Sequence, residues 1–449
     1  MLKGDADMYF KFKKYFNRGL QILQQEGYRS FFMKLKFFVR EKIKVSRLLK
    51  EKQHEVLNIL GNRFINISTI PTVYSTEDNL RLNIIIDTLN ENSLYGGVAT
   101  SIVFSIMLAN QIGCPLRIIT QDNGYVKTSV FPELAKIHHI QIPLQYEICS
   151  FPLTLLPSEK YSLPVTKKDI FISSSWWSSY VVKKINMRAK YIYLLQENEK
   201  IFYPNGDEHV MIDEIFNDNN MIPVINTRIL QEYFVQDGYK HIEQNGFYFE
   251  PAFPYIKPLS QENFLDKKEK YNLLFYARPM TPRNLFYTGL TLLNDAIGLG
   301  IIKSEEWHIL FAGDVGFPVK FCDGSKPEML GKMTLDEYAQ FIPNVDLCIG
   351  LMLAPCPSYI PLDLACAGSV VLTNTYKNKI SLAGYSENIL SAKPERNLLL
   401  KHLEDAVSLS KNSQKRYAHY LNNQISQSWE KSLSDVVTKL VLRIHNNLI

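Results

Sequence analysis

Two arginines five positions apart, Arg278 and Arg283, stand in Tyr276-Ala277-Arg278-Pro279-Met280-Thr281-Pro282-Arg283-Asn284, just after an apolar run. Thr281 and Pro282 should open a helix, which puts Arg283 in its first turn. A cation there opposes the helix dipole unless an anion lies beside it. Two planar guanidinium forks around one loop make a clamp for a diphosphate. Surface arginines paired with Asp or Glu are the competing reading. A second site of the same kind lies downstream, in Pro355-Cys356-Pro357-Ser358-Tyr359-Ile360-Pro361-Leu362-Asp363. Ser358 and Pro361 suit the start of a helix and Gly368 its end. The free N–H groups of such a start attract phosphate. Asp363, expected inside the first turn, suits the hydroxyls of a ribose. A nucleotide is implied.

Other residues are less specific. Gly96-Gly97 follows an apolar run and would let backbone approach a ligand, or simply make a turn. Gln196-Glu197-Asn198-Glu199 also follows an apolar run. There Glu197 is an acid/base or hydroxyl-binding candidate, against a solvated loop. Trp176-Trp177 could stack on a sugar or pack between helices. The nine histidines form no HxxxH or HxH pattern, and no GxSxG elbow is present, so metal and triad chemistry are not expected.

These residues need a frame that sets them at strand ends. Leu82–Thr88 and Leu116–Thr120 read as buried strands around a helix that stops at Gly113, a βαβ unit. Asp169–Ser173, Tyr191–Leu195 and Pro223–Asn226 extend the series. Residues 251–270 look like a linker. The pattern restarts with Tyr271–Tyr276, a helix with apolar positions at Phe286, Leu290, Leu293 and Ile297, and Trp307–Phe311. Val345–Leu351 and Ser369–Thr373 bracket the second site. The expected division is a helical extension at 1–60, an irregular connection to about 80, Rossmann-like domains at 78–255 and 260–415, and a helical segment at 416–449 crossing back. Two such domains place a ligand cleft between them, at the strand C-termini.

Composition agrees with a globular two-domain α/β chain of 449 residues, 46% hydrophobic and 21% charged. The net charge of +5 is uneven: residues 1–54 hold 14 Lys/Arg against 5 Asp/Glu. Aromatic residues interleave with these bases. Such a helix would lie on an anionic membrane surface, or pack on the main body with a solvated basic face. Nucleic acid is not an expected partner. Six scattered cysteines, no signal peptide and no uncharged run long enough to span a membrane point to the cytoplasm, peripheral at most on the inner face of the membrane.

Taken together, these motifs resemble a GT-B glycosyltransferase of the large retaining nucleotide-sugar family, the glycosyltransferase family 4 type. The likeness rests on Arg278 with a base five residues on, Phe311-Ala312-Gly313-Asp314, and Pro361-Leu362-Asp363-Leu364-Ala365-Cys366-Ala367-Gly368. More narrowly, Ser174-Ser175-Trp176-Trp177, Gln196-Glu197-Asn198-Glu199 through Pro204, Arg278-Pro279 with Arg283-Asn284, and Pro357-Ser358-Tyr359 look like the bacterial rhamnosyltransferases of rhamnan and S-layer glycans. The resemblance implies that Arg278 and Arg283 hold the donor diphosphate and stabilise the leaving group. It implies that Asp363 binds ribose, that Ser358 and Tyr359 offer amides to phosphate, and that Gly331, Lys332 and Met333 border the base. Gly96, Gly97 and Gly313 would line the donor, and Glu197 would contact the acceptor or the sugar. Trp176, Trp177 and Gln196 would face the sugar or acceptor. The family usually has a Glu where this chain has Pro355, and a Lys where it has Arg283. With the tryptophan pair replacing a histidine near the sugar 6-hydroxyl, the expected donor is dTDP-L-rhamnose, with no cofactor and no metal. The acceptor would be a growing glycan or a lipid-linked one. Another UDP- or GDP-sugar donor, an epimerase on the same fold, or an inactive glycan-binding subunit are the alternatives.

Overall fold

The computed structural model describes residues 56–77, 79–91, 96–121, 126–151, 162–265, 268–446 and 449. The basic segment 1–54 and Tyr95 lie outside them. Fifteen strands are described: β1 (Thr72–Tyr74), β2 (Arg81–Ile86), β3 (Leu116–Thr120), β4 (Tyr146–Ser150), β5 (Leu163–Val165), β6 (Asp169–Ser173), β7 (Tyr191–Leu195), β8 (Met221–Asn226), β9 (Phe247–Phe249), β10 (Tyr271–Tyr276), β11 (Trp307–Ala312), β12 (Glu328–Gly331), β13 (Leu347–Ile349), β14 (Val370–Asn374) and β15 (Ile389–Ala392).

Seven of them form one parallel sheet in the order β4-β3-β2-β6-β7-β8-β9, and six form another in the order β12-β11-β10-β13-β14-β15. Both sheets run outward from their first strand in one direction and then reverse, the order of a dinucleotide-binding fold. Every residue of β3, β6, β7 and β8 is buried. Parallel strands covered by helices on both faces have no wet side, so their sequences are continuous apolar runs. β1 and β5 pair in parallel as a small separate sheet. That pair corrects the expectation of an irregular connection through residue 80.

Five helices position the site: α1 (Gly97–Ile112), α2 (Trp176–Ile185), α3 (Phe286–Gly298), α4 (Tyr359–Cys366) and α5 (Trp429–His445). α5 packs on α1, and Trp429, Leu433, Val436, Val437, Leu440 and Ile444 join the core of the first domain. The Trp429 indole N–H donates to Nδ1 of His138 at 3.0 Å. Burial lowers the His138 pKa to about 4, which keeps that nitrogen a free acceptor at neutral pH.

Candidate functional site

The switch points of the two sheets fall beside β2/β6 and β10/β13, and the sequence candidates lie beyond the C-terminal ends of these strands and of their neighbours β7, β11 and β12. Tyr359, from α4 of the second domain, reaches across the cleft. Its hydroxyl accepts from Asn226 Nδ2 at 2.6 Å and lies 2.6 Å from Thr100 Oγ1, which donates to the Gly96 carbonyl at 3.0 Å. A Cβ on Gly96 would stand 3.6 Å from the Tyr359 ring, and Gly96 has φ +58°. Gly96 thus meets the opposite domain through Tyr359. Gln196 donates from Nε2 to the Gly97 carbonyl (2.7 Å) and to Ser101 Oγ (3.0 Å), tying the end of β7 to the start of α1.

Glu197 is buried at the same interface. Its Oε2 accepts from Cys356 Sγ at 2.8 Å, one residue from Pro355, and its Oε1 accepts from the Asn198 amide at 2.9 Å. Burial raises its pKa; the Cys356 thiol, the Asn198 amide, Arg283 and Lys379 oppose the rise. Arg283 lies over the Phe202 ring of the first domain, 4.5 Å from its centroid. Burial lowers the Arg283 pKa, Glu197 opposes that, and the guanidinium stays charged at any physiological pH. Its buried Nε has no hydrogen-bond partner. Arg278 is exposed, with Nη1 3.1 Å from the Tyr276 hydroxyl. The geometry therefore joins Arg283, Glu197 and Cys356 between the domains, with Arg278 at the open end of β10.

Several expectations need correction. Arg283 does not open an α-helix: it sits in the 3-10 turn Pro282–Asn284, and Leu285, at φ 49°, separates that turn from α3. Ser358 makes no side-chain cap; its φ of 66° and ψ of 149° belong to a region normally left to glycine. Asp363 is the fifth residue of α4, past the first turn, and is 4% exposed. It accepts from Tyr255 (2.8 Å) and Tyr338 (3.3 Å), on the side of the linker between the sheets, so a ribose would have to displace one of these tyrosines. Trp176 and Trp177 do not face the cleft. Both belong to the core of the first domain at 1% and 7% exposure, and the Trp176 indole donates to the Tyr203 hydroxyl at 3.0 Å. The helix start that would have presented them is capped instead. Ser175 and Ser178 form a capping box, and Glu199 accepts from the Trp176 amide at 3.1 Å. Lys332 is exposed after β12, and Met333 packs against the core beneath α4.

Burial pushes the Asp363 carboxyl up from 3.8 to about 7, and the Glu199 carboxyl from 4.5 to about 7. A raised carboxyl pKa means that the folded state holds the proton longer than the unfolded chain. The stability this provides is complete below about pH 4 and disappears as pH climbs to about 7. Asp363→Asn keeps an oxygen for Tyr255 but removes the charge. It is expected to flatten melting temperature against pH between about 4 and 7, and to stabilise the fold by a few kcal/mol, to order of magnitude, at pH 8. Scanning calorimetry over that range checks it.

Gly313 ends β11 at φ +129°, and a Cβ there would lie 2.1 Å from the Ala277 carbonyl oxygen and 3.4 Å from Cγ of Arg278. Its amide donates to the Gly331 carbonyl at 2.9 Å. Gly313 is therefore a close-packing glycine that sets the loop carrying Arg278. Gly313→Ala should cost on the order of 3 kcal/mol, read from urea unfolding.

Lys379, Cys356, Asn226 and Thr100 escape the sequence reading. Lys379 stands in Tyr376-Lys377-Asn378-Lys379, a polar turn with no periodicity, yet is 1% exposed.

Residues 81–228 match the family "WsaF, N-terminal domain" and residues 271–404 match "WsaF, C-terminal domain"; together they cover more than half of the chain. The O-antigen biosynthesis protein RfbC of Myxococcus xanthus is 25% identical over 276 residues, 61% of this chain and 21% of that protein. The chain thus spans about a fifth of that relative's length. Solved structures share the fold at low identity. TarM of S. aureus has a TM-score of 0.56 at 9% identity, over 83% of this chain and 99% of that one. WaaG, a glycosyltransferase involved in lipopolysaccharide biosynthesis, has 0.53 at 12%, over 80% and 99%. HepE of Anabaena, in complex with UDP and glucose, has 0.52 at 10%, over 82% and 99%. The architecture is the GT-B fold, two Rossmann-like domains facing a cleft.

Proposed function

This chain, with both WsaF domains and the GT-B fold, is a glycosyltransferase, and we propose that it moves a 6-deoxyhexose from a nucleoside diphosphate onto a growing cell-surface glycan. The observation that carries the donor side is Arg283. A half-buried guanidinium, its buried Nε unpaired, lies at a cleft wall with Arg278 on the same loop. Buried cations without full hydrogen bonding are costly, and a diphosphate supplies the missing acceptors. HepE in complex with UDP-glucose and RfbC in O-antigen biosynthesis support the substrate class. dTDP-L-rhamnose as donor rests on the motif resemblance alone, since the tryptophan pair no longer argues for it.

In this reading Arg278 and Arg283 take the charge that develops on the departing diphosphate. Glu197 faces the sugar or the acceptor from the first domain. Asp363 binds ribose once Tyr338 gives way, and the start of α4 at Ser358 and Tyr359 offers amides to phosphate. Lys332 and Met333 border the base. The enzyme would work on the inner face of the cell membrane, held by residues 1–54. No helix of the described residues is long and apolar enough to cross a membrane. Thermal shift against a panel of nucleotide sugars tests the donor. dTDP-L-rhamnose should stabilise most, and stabilisation by UDP- or GDP-sugars alone would overturn that choice. Flotation with anionic liposomes, with and without residues 1–54, tests the membrane contact.

A further inference from the structure

Lys379 belongs to none of the motifs above, yet the loop that gathers the site also holds its amine. It ends the turn after β14, where Tyr376 and Lys379 exchange backbone hydrogen bonds of 3.0 and 2.8 Å. The turn rests against the first domain, since Asn378 donates to the Ile229 carbonyl at 2.8 Å. Lys379 Nζ donates to the Met352 carbonyl at 3.1 Å. Met352 is itself fixed by Asn374, which accepts from its amide (2.6 Å) and donates to its carbonyl (3.1 Å). The next residue, Leu353, donates to the Arg283 carbonyl at 2.7 Å, and Cys356 reaches Glu197. One short loop, Met352 to Cys356, therefore collects Lys379, Arg283 and Glu197.

An ammonium carries three donors, and a single backbone carbonyl satisfies one. Withdrawing it from water is costly, and one neutral hydrogen bond does not offset that cost. Closing the turn needs only the backbone, and a methionine would fill the same space. We infer that Lys379 is a third cation of the donor site, held on the same loop as Arg283 and Glu197 and placed to contact the diphosphate. The inference rests on the reading of the cleft as a nucleoside diphosphate sugar site. The groups that face Glu197 are Arg283, Lys379, Cys356, Glu199, Tyr233 and Tyr376. Removing Lys379 leaves Arg283 as the one cation among them.

The test uses the full chain with Lys379→Met and Lys379→Arg. Lys379→Met should weaken binding of inorganic pyrophosphate by about tenfold or more, and Lys379→Arg should restore part of it. In the pH profile of kcat/KM, the acidic limb of Lys379→Met should move to higher pH, because Glu197 ionises less readily. A packing role alone would not move that limb. Should Lys379→Met fail to fold, Lys379→Gln, which keeps a donor for the Met352 carbonyl but not the charge, takes its place with the same expected outcomes. Pyrophosphate affinity within twofold of wild type with an unmoved limb overturns the inference and leaves the donor reading standing. A wild type that binds neither pyrophosphate nor any nucleoside diphosphate overturns both.

Discussion

Arg283→Ala is expected to lower kcat/KM for the donor by about 10²- to 10³-fold while the protein keeps its fold, the usual cost of losing one charge-stabilising donor in a closed site. The guanidinium lies against Phe202 of the first domain and faces Glu197, so it acts where the domains close, partly shielded from bulk water. There, charge on a leaving diphosphate is stabilised far more strongly than at the surface. Arg283→Lys should recover a fraction, because an ammonium supplies the charge but not the planar fork. Arg278→Ala should cost less, since Arg278 is exposed and screened by solvent. Initial rates of nucleoside diphosphate release measure all three. Unchanged turnover in Arg283→Ala would refute the clamp.

Glu197→Gln is the second large effect. The substitution preserves size and leaves an oxygen to accept from Cys356, so the interface should survive. In the proposed function, what disappears is a negative charge facing the sugar or the acceptor, where transfer of a glycosyl group develops oxocarbenium character. We expect kcat to fall about 10²-fold with the donor KM unchanged or lower, because one carboxylate fewer repels the diphosphate. Loss of donor affinity at unchanged kcat would instead make Glu197 part of the binding frame.

The sheets were legible because their strands are buried on both faces and so read as unbroken apolar runs, as at Leu82–Ile86 and Tyr191–Leu195. Short strands with polar or mixed faces escaped notice, such as β4, whose residues are exposed or half-exposed, and β12. Arg278 and Arg283 were visible as charged residues in a loop whose ends are fixed by strand and helix signals. The helix start at Ser358 was visible, but not its φ of 66°, which no residue type there announces. The tryptophans were misplaced because an aromatic pair after a strand looks the same whether it faces ligand or core. The deciding residues, Tyr203 and Glu199, lie 27 and 23 positions away from Trp176. Lys379 could not be found at all. Its significance comes from Met352 and Glu197, brought together by two sheets whose last strands end at Phe249 and Ala392.

The proposed transfer of a sugar from a nucleoside diphosphate held by the second domain can be followed by incubating the full chain with dTDP-L-rhamnose and a rhamnose-terminated oligosaccharide, and monitoring the acceptor by mass spectrometry together with nucleotide release. The expected result is an acceptor heavier by one deoxyhexose for each dTDP released, with both signals lost together in Arg283→Ala. An acceptor that gains no sugar from this or any other nucleotide sugar, or equal transfer by Arg283→Ala, would contradict it.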